Sequence, residues 1–292
     1  MDVEERIIQA LKNGGPRLAS VSPNQLESLQ EGVFHLHTDP PYFLKWIPED
    51  DHRGNNELRV NQVVLSKANI PVPRLIFMIK LAGATLAGWE WLEGTDLRYR
   101  HREWLPQAFA ALAGFHAEQR HAGRVESLIT HCVFDTVRQL LESELAFLCA
   151  GLEEAVRQKA VEAFNLLEAG YPTRVHGDAH PGNIHLTGAG LTFVDWGYSA
   201  SSLNLFDLGY IQTIHLPPHG EADWWCITPD EARPVLNSYY KACGIKNPDI
   251  DRLQWAVMFW SLLWERYNCL KQGNPPEIEA VRLRINELIA AG

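Results

Sequence analysis

Residues 176–183 read HGDAHPGN and are followed by FVDWG, and this stretch constrains the chain more than any other. It contains a carboxylate at Asp178, an amide at Asn183 and a second carboxylate at Asp195, 12 positions after the amide. The short apolar runs between them predict a hairpin that joins two loops. Carboxylate and amide oxygens are the ligands that a hard cation such as Mg²⁺ prefers. The pattern therefore predicts a metal site on two loops, beside a carboxylate that can orient a hydroxyl group.

The composition is that of a globular protein. The chain has 292 residues, of which 46% are hydrophobic and 21% are charged, enough for one large domain or two lobes. The formal charge of −10 argues against a nucleic-acid partner, because phosphate contacts need a basic surface. The same charge is compatible with a cationic substrate, although solubility alone would also explain it.

The cysteines and the N-terminus bear on where the protein resides. The five cysteines are scattered, and no two have the close spacing of a zinc site or a redox motif. We expect reduced structural thiols, as in a cytosolic protein. The opening MDVEERIIQALKNGG lacks the apolar centre of a signal peptide, and no apolar run of about 18 residues predicts a membrane span. The sequence therefore predicts a cytoplasmic protein with no membrane partner.

Hydrophobic periodicity predicts two lobes of different character. The first, residues 1–93, is predicted to be small and β-rich, with helices at 2–12, 22–30 and 52–69 and strands at 32–37, 42–47, 74–81 and 84–92. The second, residues 94–292, is predicted to be mostly helical, with helices at 103–120, 134–149, 152–168, 230–243, 249–271 and 277–290. Its strands are predicted at 173–175, 184–187 and 191–195. The predicted fold class is α+β.

Lys45 lies in the apolar run YFLKWI, which is predicted to be a strand. A lysine at such a position can simply extend its ammonium group to solvent. Glu57, in the following helix, offers an alternative, because an ion pair with it would hold the lysine in place. A lysine held in this way presents a positive charge to a phosphate chain. The HGDAHPGN motif downstream favours the ion pair with Glu57 over exposure of the lysine to solvent.

The histidines of the same motif allow a rival interpretation. His176, Asp178, His180 and His185 could form the metal site of a hydrolase from imidazoles and carboxylates. Alternating positions bind one metal well only where the backbone aims them together, and no further dense cluster of such residues completes the set. We therefore expect His176 to be a packed residue that shapes the loop.

These motifs resemble those of the aminoglycoside phosphotransferase and choline kinase superfamily, which shares the protein-kinase fold. The resemblance extends from about residue 18 to about residue 288 and is most specific in HGDAHPGNIHL, FVDWGYS and FDLGY. The runs YFLKW and AALAGFHA add weaker support. The resemblance implies a bilobal, protein-kinase-like fold with a small β-rich N-terminal lobe, including a nucleotide-covering hairpin, and a large, mostly helical C-terminal lobe.

The resemblance also implies a role for each matching residue in a Mg²⁺-dependent phosphate transfer. Asp178 would act as the catalytic base or position the acceptor hydroxyl. Asn183 and Asp195 would hold Mg²⁺. Lys45 would contact the α- and β-phosphates of ATP, with Glu57 as its partner.

Two further roles follow from the same resemblance. Asp207, in FDLGY, would brace the catalytic loop through hydrogen bonds to its backbone. The adenine would lie against the segment of Glu90, Trp91 and Leu92 and use its backbone groups. Both ATP and GTP remain open as the nucleotide.

The spacing after Asp195 favours a small acceptor. Only 12 positions separate Asp195 from Asp207, too few for the long activation segment of a regulated protein kinase. Gly177 stands where an arginine would read an activation-loop phosphate. The resemblance permits aminoglycoside antibiotics, choline-like amino alcohols, homoserine, methylthioribose, fructosamines and macrolides as acceptors. The alternatives are a nucleotide-binding regulator without turnover and a protein kinase.

Aromatic and acidic residues are the candidates for the acceptor pocket, because they suit an amine-bearing substrate. They are Asp223, Trp224, Trp225, Trp260, Trp264 and Glu265. Trp260 and Trp264 belong to the apolar stretch VMFWSLLW, which a buried helix explains without any ligand.

Overall fold

The computed structural model describes residues 2–14, 18, 20–209, 227, 229–244, 249–273 and 275–291. The chain divides into two compact units. The first comprises Met1–Thr95 and Leu186–Gly197, and the second comprises Asp96–His185 and Tyr198–Gly292. The structure is a mixed α+β fold, with a β-sheet N-terminal region and a helical C-terminal part, and this confirms the predicted fold class.

The first unit is built on a five-stranded antiparallel sheet with strand order β1-β2-β3-β5-β4. Its elements are α1 (Val3–Asn13), β1 (Leu26–Gln30), β2 (Val33–Leu36), β3 (Tyr42–Pro48), α2 (His52–Val63), β4 (Leu75–Leu81) and β5 (Ala84–Glu90).

Helix α1 covers one part of this sheet through its apolar face. Ile7 and Leu11, one helical turn apart, cluster with Leu36, Leu44 and Leu86 of the strands, and all five side chains are 0% exposed. Each fully buried side chain of this size contributes about 1.5–3 kcal/mol by leaving water. This cluster fixes the sheet that carries the lysine of YFLKW.

The predicted helix at 22–30 is wrong. Ser22 and Gln25 do form a capping box, but it opens only a short 3₁₀ turn over Pro23–Gln25. The chain then continues as β1 and folds back at Gly32, whose φ of +72° suits glycine, to pair with β2. Strand pairing with a neighbour outweighs the local helix signal, which is a weak determinant by itself.

The second unit is dominated by helices. These are α3 (Leu105–Glu118), α4 (Val137–Leu148), α5 (Glu154–Leu167), α6 (Pro229–Ala242), α7 (Ile250–Gln272) and α8 (Pro275–Ala291). Each lies within or close to a predicted helical range. Across the described residues, we find no helix with the length and apolarity that a membrane span needs.

The remaining strands are short and form three small sheets. They are β6 (Gly94–Asp96), β7 (Val125–Glu126), β8 (Val133–Phe134), β9 (Pro172–Val175), β10 (Ile184–Thr187), β11 (Gly190–Phe193) and β12 (Ala200–Leu203). Strand β9 pairs antiparallel with β12, β7 pairs with β8, and the third sheet has the order β11-β10-β6. The β10–β11 hairpin occupies the place predicted for it between the two loops of the motif.

Helix α4 carries a buried carboxyl group on its inner face. Glu144 is 1% exposed and accepts hydrogen bonds from the Ser127 hydroxyl and the Trp260 indole, each at 2.9 Å. The Trp260 ring stacks on Phe206 at 4.2 Å. Burial raises the pKa of Glu144 to about 7, although both hydrogen bonds oppose the rise. The charged form of Glu144 is therefore unfavourable in the folded protein.

We expect this carboxyl group to make the free energy of unfolding depend on pH. A pKa raised by folding stabilises the protein below the unfolded value, near 4.3, and this contribution is lost as the pH rises through about 7. The substitution Glu144→Gln removes the titration. The stability of the variant relative to wild type should therefore rise between pH 5 and pH 8.5, by up to about 3 kcal/mol.

Chemical denaturation at several pH values checks this expectation. Glu142→Gln is the matched control, because Glu142 lies on the same helix with 63% of its side chain exposed. Equal pH dependence in wild type and both variants would show that Glu144 does not titrate in the folded protein near neutrality.

Candidate active site

A buried carboxylate anchors the start of the loop that follows β9. Asp207, in the 3₁₀ turn Asn204–Leu208, accepts hydrogen bonds from the backbone N–H groups of His176 at 2.6 Å and Gly177 at 2.7 Å. It also accepts one from His116 Nε2 at 2.9 Å. Burial would raise the pKa of Asp207, but the hydrogen bonds and charge of the two histidines lower it below its usual value. Asp207 is therefore an anion that fixes the start of the loop.

A chain of buried, hydrogen-bonded polar groups connects this carboxylate to two helices. His116 Nδ1 of α3 pairs with the Tyr239 hydroxyl of α6 at 2.6 Å, and the Asn204 amide donates to the same hydroxyl at 3.1 Å. All three side chains are 0% exposed. The 3₁₀ turn that contains Asn204 and Asp207 thus shares one hydrogen-bond network with α3 and α6. Sequence reasoning noted His116 only as part of AALAGFHA, and it gave no role to Tyr239.

Asp178 and Asn183 lie together at the centre of the loop. The Asn183 side-chain amide donates to the Asp178 backbone carbonyl at 2.9 Å and to its carboxylate at 3.2 Å. Because the amide nitrogen of Asn183 is used by Asp178, its oxygen is the atom suited to a cation. His180 Nε2 lies 3.9 Å from the Asp178 carboxylate, which is 13% exposed.

The histidines of the motif do not converge on a metal. His176 is fully buried, and its Nδ1 accepts from the Asp178 backbone N–H at 3.3 Å. Burial lowers the pKa of His185. Within the described ranges, the three-residue group of possible metal ligands lies elsewhere, in the β1–β2 hairpin. The geometry therefore does not support the hydrolase alternative.

Lys45, Glu57 and Asp195 come together in the first unit. Lys45 Nζ lies 2.7 Å from Glu57 Oε2 and 3.7 Å from Asp195 Oδ1. Burial would lower the pKa of Lys45, but the charges of the two carboxylates outweigh it and raise that pKa above its usual value. The lysine is held as a cation by a strand, a helix and a distant loop, rather than extending to solvent.

Side chains of helix α2 also bind the turn that contains Asp195. Asp195 has a φ of +60°, a conformation that costs a residue with a side chain some strain. The Arg53 guanidinium pairs with its carboxylate at 2.5 Å, and the Asn56 amide donates to the Gly197 carbonyl at 2.9 Å. Sequence reasoning missed Arg53 and Asn56, because both contacts join residues more than 140 positions apart.

The residues predicted to meet the adenine lie at the end of β5. Glu90 is the last residue of the strand, and its side chain accepts from the backbone N–H of Arg74 at 2.8 Å. The Trp91 ring stacks on His35 with 3.6 Å between ring centroids. Leu92 is half-buried.

The residues predicted for the acceptor pocket have different environments. Trp260 is 1% exposed and lies in the core of the second unit, as a buried helix requires. Trp264 packs edge-on against it at 5.0 Å, and Glu265, half-buried, lies beside Cys269 on the same helix. Asp223, Trp224 and Trp225 lie outside the described residues.

A model of the phosphotransferase enzyme family matches residues 23–256. No curated protein sequence matches the chain significantly. Among solved structures, the GDP complex of a wild-type aminoglycoside 2′-phosphotransferase-IIIa gives a TM-score of 0.65 at 14% identity and covers 99% of both chains.

Two further structures have acceptors of other kinds in their names. A macrolide 2′-phosphotransferase from Brachybacterium faecium gives a TM-score of 0.60 at 15% identity, covering 97% of this chain and 98% of that chain. A choline kinase from Cryptosporidium parvum gives 0.58 at 10% identity, covering 98% and 94%. At these identities the likeness shows the fold, and it confirms the predicted kinase-like architecture.

Gly177 offers a test of how closely the loop is packed. Its φ is +82°, and a Cβ atom there would overlap with the carbonyl oxygen of Tyr198. We expect Gly177→Ala to lower the free energy of unfolding by about 2–4 kcal/mol. Gly188→Ala is the control, because nothing lies within 4 Å of a Cβ at that position. Thermal denaturation measures both, and equal melting temperatures would contradict the close packing.

Proposed function

Because the chain belongs to the phosphotransferase enzyme family, we propose that it transfers the γ-phosphate of ATP or GTP to a hydroxyl group of a small molecule, with Mg²⁺. The observation that carries the proposal is the assembly of Lys45, Glu57 and Asp195 within 3.7 Å of the lysine ammonium group. A lysine paired with a helix glutamate, beside a metal-binding aspartate, is the arrangement that phosphoryl transfer uses in kinases.

Lys45 supplies positive charge to the phosphate chain in this proposal. Its side chain is 19% exposed and its ammonium group is held by Glu57, so little side-chain entropy is lost when a phosphate arrives. The raised pKa keeps it charged at neutral pH. A fixed cation of this kind stabilises the charge that develops on the transferred group.

Asp178 orients the acceptor hydroxyl and takes its proton. Its carboxylate projects from a loop whose backbone is anchored by Asp207, and the Asn183 amide holds one of its oxygens. A positioned carboxylate of this kind typically contributes about 10²–10⁴-fold as a general base.

Asp195 and Asn183 each offer a donor of the kind that magnesium prefers. Asp195 offers a carboxylate that is 30% exposed, and Asn183 offers the amide oxygen left by its bonds to Asp178. Hard oxygen ligands of this type suit Mg²⁺, which would neutralise charge on the β- and γ-phosphates. Arg53 neutralises Asp195 in the structure, and the carboxylate has to exchange this partner for the metal.

A small acceptor is supported by the short path between the two loops. Strand β12 begins at Ala200, five residues after Asp195, and pairs at once with β9. This leaves no extended segment between Asp195 and Asp207 to dock a peptide. The charge of −10 favours an amine-bearing acceptor, such as an aminoglycoside, and the neighbours named above show how widely acceptors vary within this fold.

We expect Mg·ATP or Mg·GTP to raise the melting temperature and to be consumed in the presence of the right acceptor. A thermal-shift measurement with both nucleotides gives the first result. A coupled assay of ADP or GDP release over amino-alcohol, sugar and antibiotic panels gives the second. Failure of both nucleotides to bind would overturn the proposal, and binding without turnover on any panel would favour a regulator.

Two aspartate substitutions should separate catalysis from metal binding. Asp178→Asn should lower kcat by about 10²–10⁴-fold with little change in nucleotide affinity. Asp195→Asn should weaken binding of the Mg·nucleotide itself, because it removes a charged ligand. Asp135→Asn, at a site with 71% of the side chain exposed, is the control. Full activity in Asp178→Asn would refute the role of the loop.

A further inference from the structure

The β1–β2 hairpin carries three possible metal ligands that the phosphotransfer proposal does not use. Glu27 of β1 lies directly opposite His35 of β2 in the strand register. His37 follows two positions after His35, so that both imidazoles project from the same side of the chain. Strand geometry thus brings a carboxylate and two imidazoles together from residues that are ten or fewer positions apart.

The ligand atoms are close to the spacing that a tetrahedral ion requires. Glu27 Oε2 lies 2.8 Å from His37 Nε2 and 3.7 Å from His35 Nδ1, and the three ligand atoms all lie within 4.8 Å of one another. Zinc–ligand bonds of about 2.0–2.1 Å place tetrahedral ligands roughly 3.3 Å apart. The two distances to Glu27 lie on either side of this value, and the shorter one is a hydrogen bond that a metal ion would replace.

His35 is already oriented for such a role. Its side chain is 13% exposed, and its ring stacks on Trp91 with an interplanar angle of 8°. Its Nε2 atom is buried with no hydrogen-bond partner among the described residues, while Nδ1 faces Glu27. Metals bind the neutral form of an imidazole ring.

Neither tautomer of the neutral His35 ring gives both of its nitrogens a hydrogen-bond partner. With the proton on Nε2, the lone pair of Nδ1 points toward a carboxylate oxygen. With the proton on Nδ1, the distance of 3.7 Å to Glu27 is too long for a hydrogen bond, and the Nε2 lone pair stays buried. A cation between Nδ1 and the carboxylate would bind both of these groups, with the ring proton on Nε2.

We propose that Glu27, His35 and His37 form a binding site for a divalent transition-metal ion of the zinc type. Two imidazoles and one carboxylate suit Zn²⁺ far better than Mg²⁺, which prefers oxygen ligands. Glu27 and His37 are 56% and 49% exposed, so the ion enters from solvent and its fourth position is open to water. The site shares no residue with Lys45, Asp178 and Asp195, although His35 stacks on Trp91 of the segment predicted to meet the adenine.

A bound ion would stiffen one edge of the sheet. Strand β1 lies at the end of the strand order and has β2 as its one neighbour in that sheet. The ion would add a cross-link between these two strands, and the stacked His35 ring would extend it to Trp91. Zinc should therefore raise the melting temperature of the protein.

Calorimetric titration of the untagged full chain with Zn²⁺, after removal of metals and in excess Mg²⁺, tests the proposal. The magnesium occupies sites built from oxygen ligands. We expect one zinc per chain. Loss of a group that only hydrogen-bonds to a metal ligand typically lowers metal affinity about 10–100-fold, so loss of a ligand in His37→Asn should lower it by at least about 100-fold. Glu27→Gln should also weaken binding, because it removes the ligand charge.

His131→Asn is the matched control. His131 lies 3.5 Å from Glu126 in an exposed pair that resembles the His37–Glu27 pair but has no third ligand in the described part of the chain. This variant should bind zinc as wild type does. Cobalt in place of zinc should give the visible absorption of a four-coordinate ion in wild type and not in His37→Asn. Absence of zinc binding, or equal binding by His37→Asn, would overturn the proposal.

Discussion

The buried carboxylate of Asp207 is the group on which the catalytic loop depends. A carboxylate removed from water is costly unless donors surround it, and three N–H groups do so here. Two of the donors are the backbone of His176 and Gly177, and the third is the His116 imidazole. Because two of the three donors belong to the loop, it cannot move away without leaving the buried anion with His116 alone. The backbone that carries Asp178 is therefore held in place.

The turn at Asp195 is held by side chains rather than by its own backbone. Its positive φ is unfavourable locally, and helix α2 compensates through Arg53 and Asn56. Lys45 adds a second cation on the other carboxylate oxygen. The single carboxylate thus lies between two positive charges that compete for it. Such an arrangement keeps the turn ordered before any ligand binds and gives the carboxylate alternative partners.

Contacts within a motif could be predicted from the sequence, and contacts between distant elements could not. The Lys45–Glu57 pair follows from a strand and the helix next to it, 12 positions apart. The Arg53–Asp195 pair joins residues 142 positions apart, and no local pattern indicates it. The predicted helix at 22–30 is only a short 3₁₀ turn followed by β1, because the pairing of β1 with β2 is decided by the fold. The roles of the site residues stay predictions.

The glycine of Asp-Trp-Gly has an unusual reason to be small. Gly197 does not adopt a left-handed backbone conformation, so glycine is not required by its φ angle. A Cβ atom there would instead overlap with the side-chain stem of Arg53 as it passes toward Asp195. The Arg53 side chain therefore occupies the space that a side chain at position 197 would need. Among related sequences they should covary, with larger residues at 197 accompanying shorter ones at 53.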